Sequence, residues 1–561
     1  MSDELAAALP SWEETCAKLT GPDGPFETVE ETVLGVTMRV YKNRVRSLRE
    51  LLERSEAFAG NDYLVFSDGR RWTYADHLRD VSSVAAALRD EYGIGKGDRV
   101  AILAANAPEW ILTFWATVSL GGVVVGMNGW WAADEIRHAL DLTKPKLLVA
   151  DARRLERLEG EAPGMSVAVI EQDFQRFLDH NPEASLSDIA IAEDDPAVVL
   201  FTSGTTGPPK APLLSHRNIV SFVGSTFLIG TGRAMTEPPQ EGSPGAILAP
   251  FPLFHVSGLF GTTVAALAGG QKTAWPSGRF DPAAVIALCK NEGVSSFTGA
   301  ATHVFRVLNH PDIETLSPKQ FTNVGAAGSA TSPELLRAIH ERFPHLGKVV
   351  GTGYGSTESG ALISYAPGAM LEEASNCVGP PLPVVEIKVV DEDGKEVAEG
   401  EVGTICVRSP MVMLGYYENP DANEKTILPG RWLDSGDFGR LREGHLYMES
   451  RLRDLIIRGG ENIYPIEIEN RLEEHPAVMD VAVFGVDHPE MGQEVKAVVV
   501  PHAGKSINEK EVRDFVAERL AYFKVPAHVE VRSEPLPRNA TGKVLKHVVS
   551  GDAENSFVEE T

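Results

Sequence analysis

From Trp110 to Ala133 the chain carries no charged side chain, and whatever it folds into must bury that stretch. The length alone would satisfy a membrane-spanning helix. The composition does not, because Gly121-Gly122 separates a helix-like WILTFWATVSL from a β-branched VVVGMN. Glycine pairs break helices, and a short valine run bounded by turn residues reads as a buried strand. The expected unit is a buried helix, a glycine turn and a buried strand, from which α/β cores are assembled.

The alternation continues on both sides of this unit. VSSVAAALRDEYG has helical spacing and RVAILAAN reads as a buried strand. KPKLLVAD, DDPAVVLFTSG, GAILAPFPLFH and KVVGTGYGS extend the series. Helices alternating with apolar strands predict parallel sheets covered on both faces. Upstream, SLRELLERSEAF reads as a helix and YLVFSDGRRWTY as a hairpin turning at Asp68-Gly69. Residues 1–45 are acidic and punctuated by Pro and Gly, and are expected to form an extension with limited structure of its own. Near Val384 the pattern becomes β-rich, with turns at Asp393-Gly394 and Glu399-Gly400. After Arg451, strands VMDVAVFGVDH and EVKAVVVPHA and helix EKEVRDFVAERL suggest a separate small unit. A chain of 561 residues is too long for one core. The fold class is therefore α/β: a large N-terminal domain (46–451) of doubly wound sheets with a β-rich subdomain, then a small α+β C-terminal domain (454–561).

A net charge of −27 argues against nucleic-acid binding and against docking on anionic membranes. Cys16, Cys289, Cys377 and Cys406 are scattered without metal-ligand spacing, which fits a reducing compartment. The start lacks a basic segment followed by an apolar run. A soluble, cytoplasmic protein without integral membrane association is expected. A homodimer is left open.

The sharpest chemical signal is Thr202-Ser203-Gly204-Thr205-Thr206-Gly207-Pro208-Pro209-Lys210, directly after the strand-like AVVLF. Glycines let the backbone turn its N–H groups toward an anion, the hydroxyls add donors, and Lys210 adds a charge for phosphate. A polar surface turn is the bland alternative. It is not the phosphate loop of kinases and GTPases, since Pro209 stands where the second glycine would be. Nor is it a dinucleotide fingerprint, for Gly351-x-Gly353 is followed by Ser356.

Together with Tyr354-Gly355-Ser356-Thr357-Glu358, Trp432-Leu433-Asp434-Ser435-Gly436-Asp437, Arg451-Leu452-Arg453-Asp454, Gly459-Gly460-Glu461-Asn462 and Pro537-Arg538-Asn539-Ala540-Thr541-Gly542-Lys543, this loop resembles the adenylate-forming superfamily of acyl-CoA synthetases, aryl-CoA ligases, adenylation domains and luciferases. Ala211 departs from that pattern, where a glycine usually follows the lysine. The resemblance implies ATP-dependent activation of a carboxylic acid as an acyl-adenylate, then transfer to coenzyme A, with Mg²⁺ assisting. It implies phosphate binding by Thr202, Ser203, Gly204, Thr205, Thr206, Gly207 and Lys210. Thr357, in the Gly353-Tyr354-Gly355 segment, would meet the α-phosphate and Glu358 would ligate Mg²⁺. Asp437 would accept the ribose hydroxyls and Arg451 would add a ribose or phosphate contact. Lys543 would bridge the substrate carboxylate and the α-phosphate. The C-terminal domain would be mobile about a hinge at 452–453, where Arg453 replaces the usual Lys or Asp, and Gly459 and Gly460 would line the pantetheine path.

His255, in Phe251-Pro252-Leu253-Phe254-His255, falls at the family's aromatic gate, though a histidine among apolar residues is often a packing residue. Ser257, Gly258, Gly261, Gly325, Ala326, Ala327, Gly328 and Gly360 are small where acyl pockets are lined, which suggests a bulky or long apolar acid. A separate carrier protein as acceptor, luciferase-like oxidation of the adenylate, and a non-catalytic nucleotide-binding regulator are the alternatives. The chain's end at Thr561 leaves no expected room for a fused carrier.

Overall fold

In a computed structural model, the described residues are 10–158, 164–202, 209–236, 245–278, 280–317, 319–326, 333–346, 351–374, 376–451, 454–458, 461–539 and 542–551. The charge-free stretch runs from within helix Pro108–Ser119, whose first turn holds Glu109, into strand Val123–Gly126, with Gly121 turning between them at φ +71°. Proline at the first helical turn starts the helix where an N–H has no partner to lose. The strand joins a seven-stranded sheet, in which it lies parallel to Arg99–Leu103 on one side and Pro196–Leu200 on the other. Leu147–Ala150 and Ser166–Val169 continue that sheet in parallel, and Pro212–Ser215 and Gly415–Tyr416 close its other edge antiparallel.

A second, six-stranded sheet orders Asn323–Ala326, Val294–Gly299, Ala246–Leu248, Thr273–Trp275, Asp62–Phe66 and Arg71–Thr73. Its strands are parallel except for the last hairpin. Helices Tyr74–Tyr92 and Pro108–Ser119 lie between the two sheets, and one apolar cluster joins Val100, Ile102 and Val198 to Trp110, Phe114, Trp115, Tyr63, Leu64 and Trp275. The period of two then divides each strand between cores: Ala101 and Leu103 point to the far face, against Ile136 and Leu140 of helix Ala133–Thr143. Phe297, Val294 and Val324 face a third cluster with Val285, Ile286 and Val304. Parallel strands buried on both faces explain why their sequences read as unbroken apolar runs.

A sheet of Cys377–Gly379, Glu386–Val390, Gly403–Arg408, Trp432–Arg442 and His445–Arg451 forms the β-rich part. The segment after Asp454 has its own five-stranded sheet and a core of Ile456, Ile468, Val481, Val483, Val495, Val499, Val512 and Val516. Among the described residues, no helix is long and apolar enough to cross a membrane.

Two expectations are corrected. Residues 10–45 carry regular structure: Ser11 caps helix Trp12–Thr20 in a reciprocal box with Glu14, and Thr28–Val33 pairs with Val36–Tyr41. Its few apolar groups suffice because their partners lie far along the chain. The Trp12 ring sits 5.2 Å from that of Tyr365 and covers Gly232, where a Cβ would come within 2.6 Å of it. Buried Arg44 is forked onto Glu31 at 2.7 Å and Glu193 at 2.8 Å, and Arg217 also meets Glu193, at 2.7 Å. The second correction concerns KVVGTGYGS. Thr352–Tyr354 pairs antiparallel with Ser364–Ala366 in a separate two-stranded sheet rather than joining a parallel one, and residues 347–350 lie outside the described residues.

Between the sheets, His77 packs edge-on against Tyr63 and Trp115, with ring centroids 4.9 and 6.3 Å away. Neither ring nitrogen meets a hydrogen-bond partner among the described residues. Burial alone pushes its pKa from 6.5 down to about 3. The unfolded chain therefore binds a proton that the folded one refuses between those values, so stability is full above pH 6.5 and falls as the pH drops toward 3. We expect His77→Leu to flatten the acid limb of urea-denaturation midpoints measured from pH 7 to 4.5, removing a slope of about 1.4 kcal/mol per pH unit.

Candidate active site

The parallel strands of both sheets end in loops that carry the predicted residues, as crevices at carboxyl ends of strands do in open α/β sheets. Strand Pro196–Leu200 leads to Thr202, which pairs with Lys210 through N–O contacts of 2.9 and 3.2 Å. This bridge closes the base of the hydroxyl- and glycine-rich segment. Ser203, Gly204, Thr205, Thr206 and Gly207 themselves lie outside the described residues.

Glu358 comes to the same place from a distant part of the chain. Thr202 Oγ1 donates to its Oε1 at 3.2 Å, and the Tyr416 hydroxyl donates to the same oxygen at 3.1 Å. The short strand Gly415–Tyr416 pairs with Pro212 and Leu213, which sets Tyr416 beside the loop's exit. The Lys210 ammonium lies 4.8 Å from the centre of the Tyr416 ring, a cation–π distance. Burial, then the Glu358 carboxylate, holds the Tyr416 phenol well above its ordinary pKa, so it remains a neutral donor. Arg431 anchors the segment, giving Nη2 to the Met413 carbonyl at 2.6 Å and Nη1 to that of Leu414 at 3.2 Å. The Met413 N–H in turn donates to the Glu358 carbonyl at 2.9 Å.

Glu358 and Thr357 sit in a turn in which Ser356 and Ser359 each accept from the other's backbone N–H. The preceding strand carries Gly353 and Tyr354, and the Tyr354 hydroxyl donates to Asp437 Oδ2 at 2.6 Å. Asp437 is buried, with its N–H on Ser435 Oγ at 3.1 Å. In the strand register it stands opposite Arg451. A buried carboxylate already oriented by a phenol retains acceptor capacity for paired hydroxyls. The Arg451 side chain, and Arg453, Gly459 and Gly460, lie outside the described residues.

The apolar side is built around Phe251–Gly258. Asn106 clamps it, donating to the Phe251 carbonyl at 2.8 Å and accepting from the Leu253 N–H at 2.9 Å. Phe254 lies over the end of strand Val123–Gly126, its Cα 3.5 Å from where a Gly126 Cβ would be. The ring of His255, 4.9 Å from that of Phe254, keeps some surface, yet enclosure by protein lowers its pKa to about 4. It is a neutral imidazole at physiological pH. Ser257–Val264 is wound as a π-helix, an uncommon geometry that recurs at functional sites. It brings Gly258 so close to Pro252 that a Cβ would fall 2.1 Å from the Pro252 carbonyl oxygen, so Gly258 is small for packing. Gly325 and Ala326 end their strand beside Thr298 and Gly299. Gly328 lies outside the described residues. Gly542, next to Lys543 in the chain, packs on Ala300 and Thr302, just past Gly299.

The bridge between Thr202 and Lys210, a carboxylate held by two hydroxyls and a buried aspartate oriented by a phenol are the described parts of the motifs that resemble the adenylate-forming superfamily. The comparisons agree. The AMP-binding enzyme family matches residues 51–417, and the AMP-binding enzyme C-terminal domain matches 467–543. A feruloyl-CoA synthase from Amycolatopsis sp is 32% identical, covering 85% of this chain and 93% of that protein. A long-chain-fatty-acid–CoA ligase from Bacillus subtilis is 29% identical over 92% of this chain and 96% of its own. The crystal structure of ATP-bound MatB from Rhodopseudomonas palustris superposes with a TM-score of 0.79 at 28% identity, covering 91% of this chain and 100% of that one. The chain belongs to the AMP-binding enzyme family of the adenylate-forming superfamily, and is an acid–thiol ligase of the AMP-forming acyl-CoA synthetase class.

Sequence reading singled out Thr202, Lys210, Glu358, Tyr354 and Asp437, and the structure brings the first three into one cluster and the last two into contact. It did not single out Tyr416, Asn106 or Arg431. Each acts on a partner remote in sequence or on backbone carbonyls, and no local spacing announces that. Tyr416→Phe is expected to fold normally yet lower acid-dependent pyrophosphate release about tenfold, by freeing Glu358 on one side; steady-state rates at saturating acid would show it.

Proposed function

We propose that this ligase joins an apolar carboxylic acid, of the fatty or aryl type, to coenzyme A in two steps at the strand ends described above. The observation that carries the reading is the gathering of Thr202, Lys210, Glu358 and Tyr416 at one strand end, with Lys543 approaching the ends of the second sheet. In the first step a carboxylate oxygen attacks the α-phosphorus of ATP and the bond to pyrophosphate breaks. Both reactants are anions, so positive charge and fixed donors must face them. Lys210 and the hydroxyl loop hold the outer phosphates, Thr357 the α-phosphate, and Lys543 the two groups that react. Asp437 receives the ribose hydroxyls, oriented by Tyr354. Glu358 and Thr202 offer only oxygen donors, a set suited to Mg²⁺, which when bound would offset phosphate charge. In the second step the coenzyme A sulfur attacks the acyl carbon and AMP leaves.

The acid's class is supported by the apolar side of the site. Phe251–Gly258 and Asn323–Ala326 contain no Asp, Glu, Lys or Arg. His255 is neutral there and offers no charge to a second carboxylate. The feruloyl and long-chain relatives act on apolar acids of these two kinds by name.

The test is pyrophosphate release from ATP and Mg²⁺ with acetate, decanoate, palmitate, ferulate or indole-3-acetate, each with and without coenzyme A. An apolar acid should support release and coenzyme A should accelerate it. A preference for acetate would overturn the acid assignment, and acceleration by a phosphopantetheinyl carrier but not by coenzyme A would overturn the acceptor. Lys543→Ala is expected to lower release by about 10²-fold or more; unchanged turnover would sink the role given to Lys543.

A further inference from the structure

Lys543 sits on a hairpin whose arms are fixed at several levels. Arg538 and Val544 form a bridge pair. The Asn539 N–H donates to the Lys543 carbonyl at 2.9 Å, the Lys543 N–H to Asn539 Oδ1 at 2.9 Å, and the Gly542 N–H to the Asn539 carbonyl at 2.8 Å. Below these, Leu536 and Val549 are buried against Ala482, Phe484, Val498 and Val500. That packing holds the base of the hairpin.

Arg538 ties the tip to the sheet. Its Nη1 donates to the Gly542 carbonyl at 2.6 Å, and its Nη2 to Asp480 Oδ2 at 2.6 Å. Asp480 belongs to strand Val478–His488, and its other oxygen accepts from the Val481 N–H at 3.0 Å. A planar guanidinium spanning tip and sheet is a stiff brace, because its donors leave in fixed directions. The pair is mostly shielded, with side chains 24% and 15% exposed. The tip it braces is the part that docks. Gly542 has φ +81°, and a Cβ there would lie 2.5 Å from Ala300 Cβ and 3.4 Å from Thr302 Oγ1. Such contact tolerates little error, so the tilt set by Arg538 becomes the position of Lys543 relative to the strand ends.

We propose that Arg538 and Asp480 are positioning residues for Lys543, acting on adenylate formation and not on the thiol step. This rests on the function proposed above. When a carboxylate meets a triphosphate, the lysine charge has to stand where the two anions converge, and a misplacement of about 1 Å can cost about 10²-fold. Attack of a thiol on a neutral acyl carbon makes no such demand on that charge.

The experiment separates the half-reactions, using the acid turned over fastest in the panel above. ATP–pyrophosphate exchange reads adenylation. Thioester formation from coenzyme A and the chemically synthesised adenylate of that acid reads the second step. Arg538→Ala and Asp480→Asn should each lower exchange about 10- to 100-fold through kcat, with KM for ATP and the second step essentially unchanged. Arg538→Lys, which keeps the charge toward Asp480 but loses the fork, should fall between. Asp480→Asn changes no volume and remains informative should Arg538→Ala fold poorly. Unchanged exchange, or equal loss in both half-reactions as general disruption would give, overturns the proposal. Lys543→Ala run alongside tells the two readings apart. If exchange survives in it, the proposed role of Lys543 falls; if exchange is lost there but survives in Arg538→Ala and Asp480→Asn, only the positioning falls.

Discussion

The burial of one helix, Pro108–Ser119, whose one charged residue is Glu109 in its first turn, governs the architecture. Eleven of its residues are inaccessible to solvent, so it needs apolar surface all round, and a single sheet offers surface on one side only. Placing it with Tyr74–Tyr92 between two sheets meets that need. Two sheets sharing one helical layer then aim two sets of parallel strand ends into neighbouring crevices. One set delivers the hydroxyl loop and the other delivers Gly299, Ala300 and Ala326. The segment Phe251–Gly258 leaves the second sheet and crosses over Gly126 of the first, held by Asn106.

The polar centre is assembled from segments that do not touch in sequence. Glu358 and Thr202 are separated by 156 positions, Glu358 and Tyr416 by 58. Each of the two hydroxyls that donate to the Glu358 carboxylate offsets part of its desolvation. Arg431 contributes by satisfying carbonyls, not by meeting substrate. Fixed dipoles and charges of this kind suit chemistry in which two anions must meet.

How much was legible in the sequence depended on whether a residue's partner was local. Strands buried on both faces announced themselves as apolar runs, and the turns at Asp68-Gly69, Asp393-Gly394 and Glu399-Gly400 were readable because glycine there adopts φ from +76° to +92°. The loop from Thr202 to Lys210 and the Asp437 strand could be picked out from compact motifs. Tyr416, by contrast, is one of two adjacent tyrosines between an apolar run and a polar one, and its meaning depends on the antiparallel pairing with Pro212 and Leu213. The extension before residue 46 was misjudged for the same reason: Trp12 looks isolated until Gly232 and Tyr365 are brought beside it. KVVGTGYGS misled in the other direction, for an apolar run followed by glycines does not reveal whether its partner strand is parallel.

The buried seat of Trp12 also bears on the order in which the chain can fold during synthesis. Its helix is synthesised well before one of its partners, Tyr365, which lies far downstream. At roughly 5–20 residues per second, that partner follows only after tens of seconds. Until then the tryptophan and the acidic helix around it have no native surface to occupy, and Arg44 waits likewise for Glu193. The helix is therefore locked in place only late, and the nascent chain must keep it available until Tyr365 has been made.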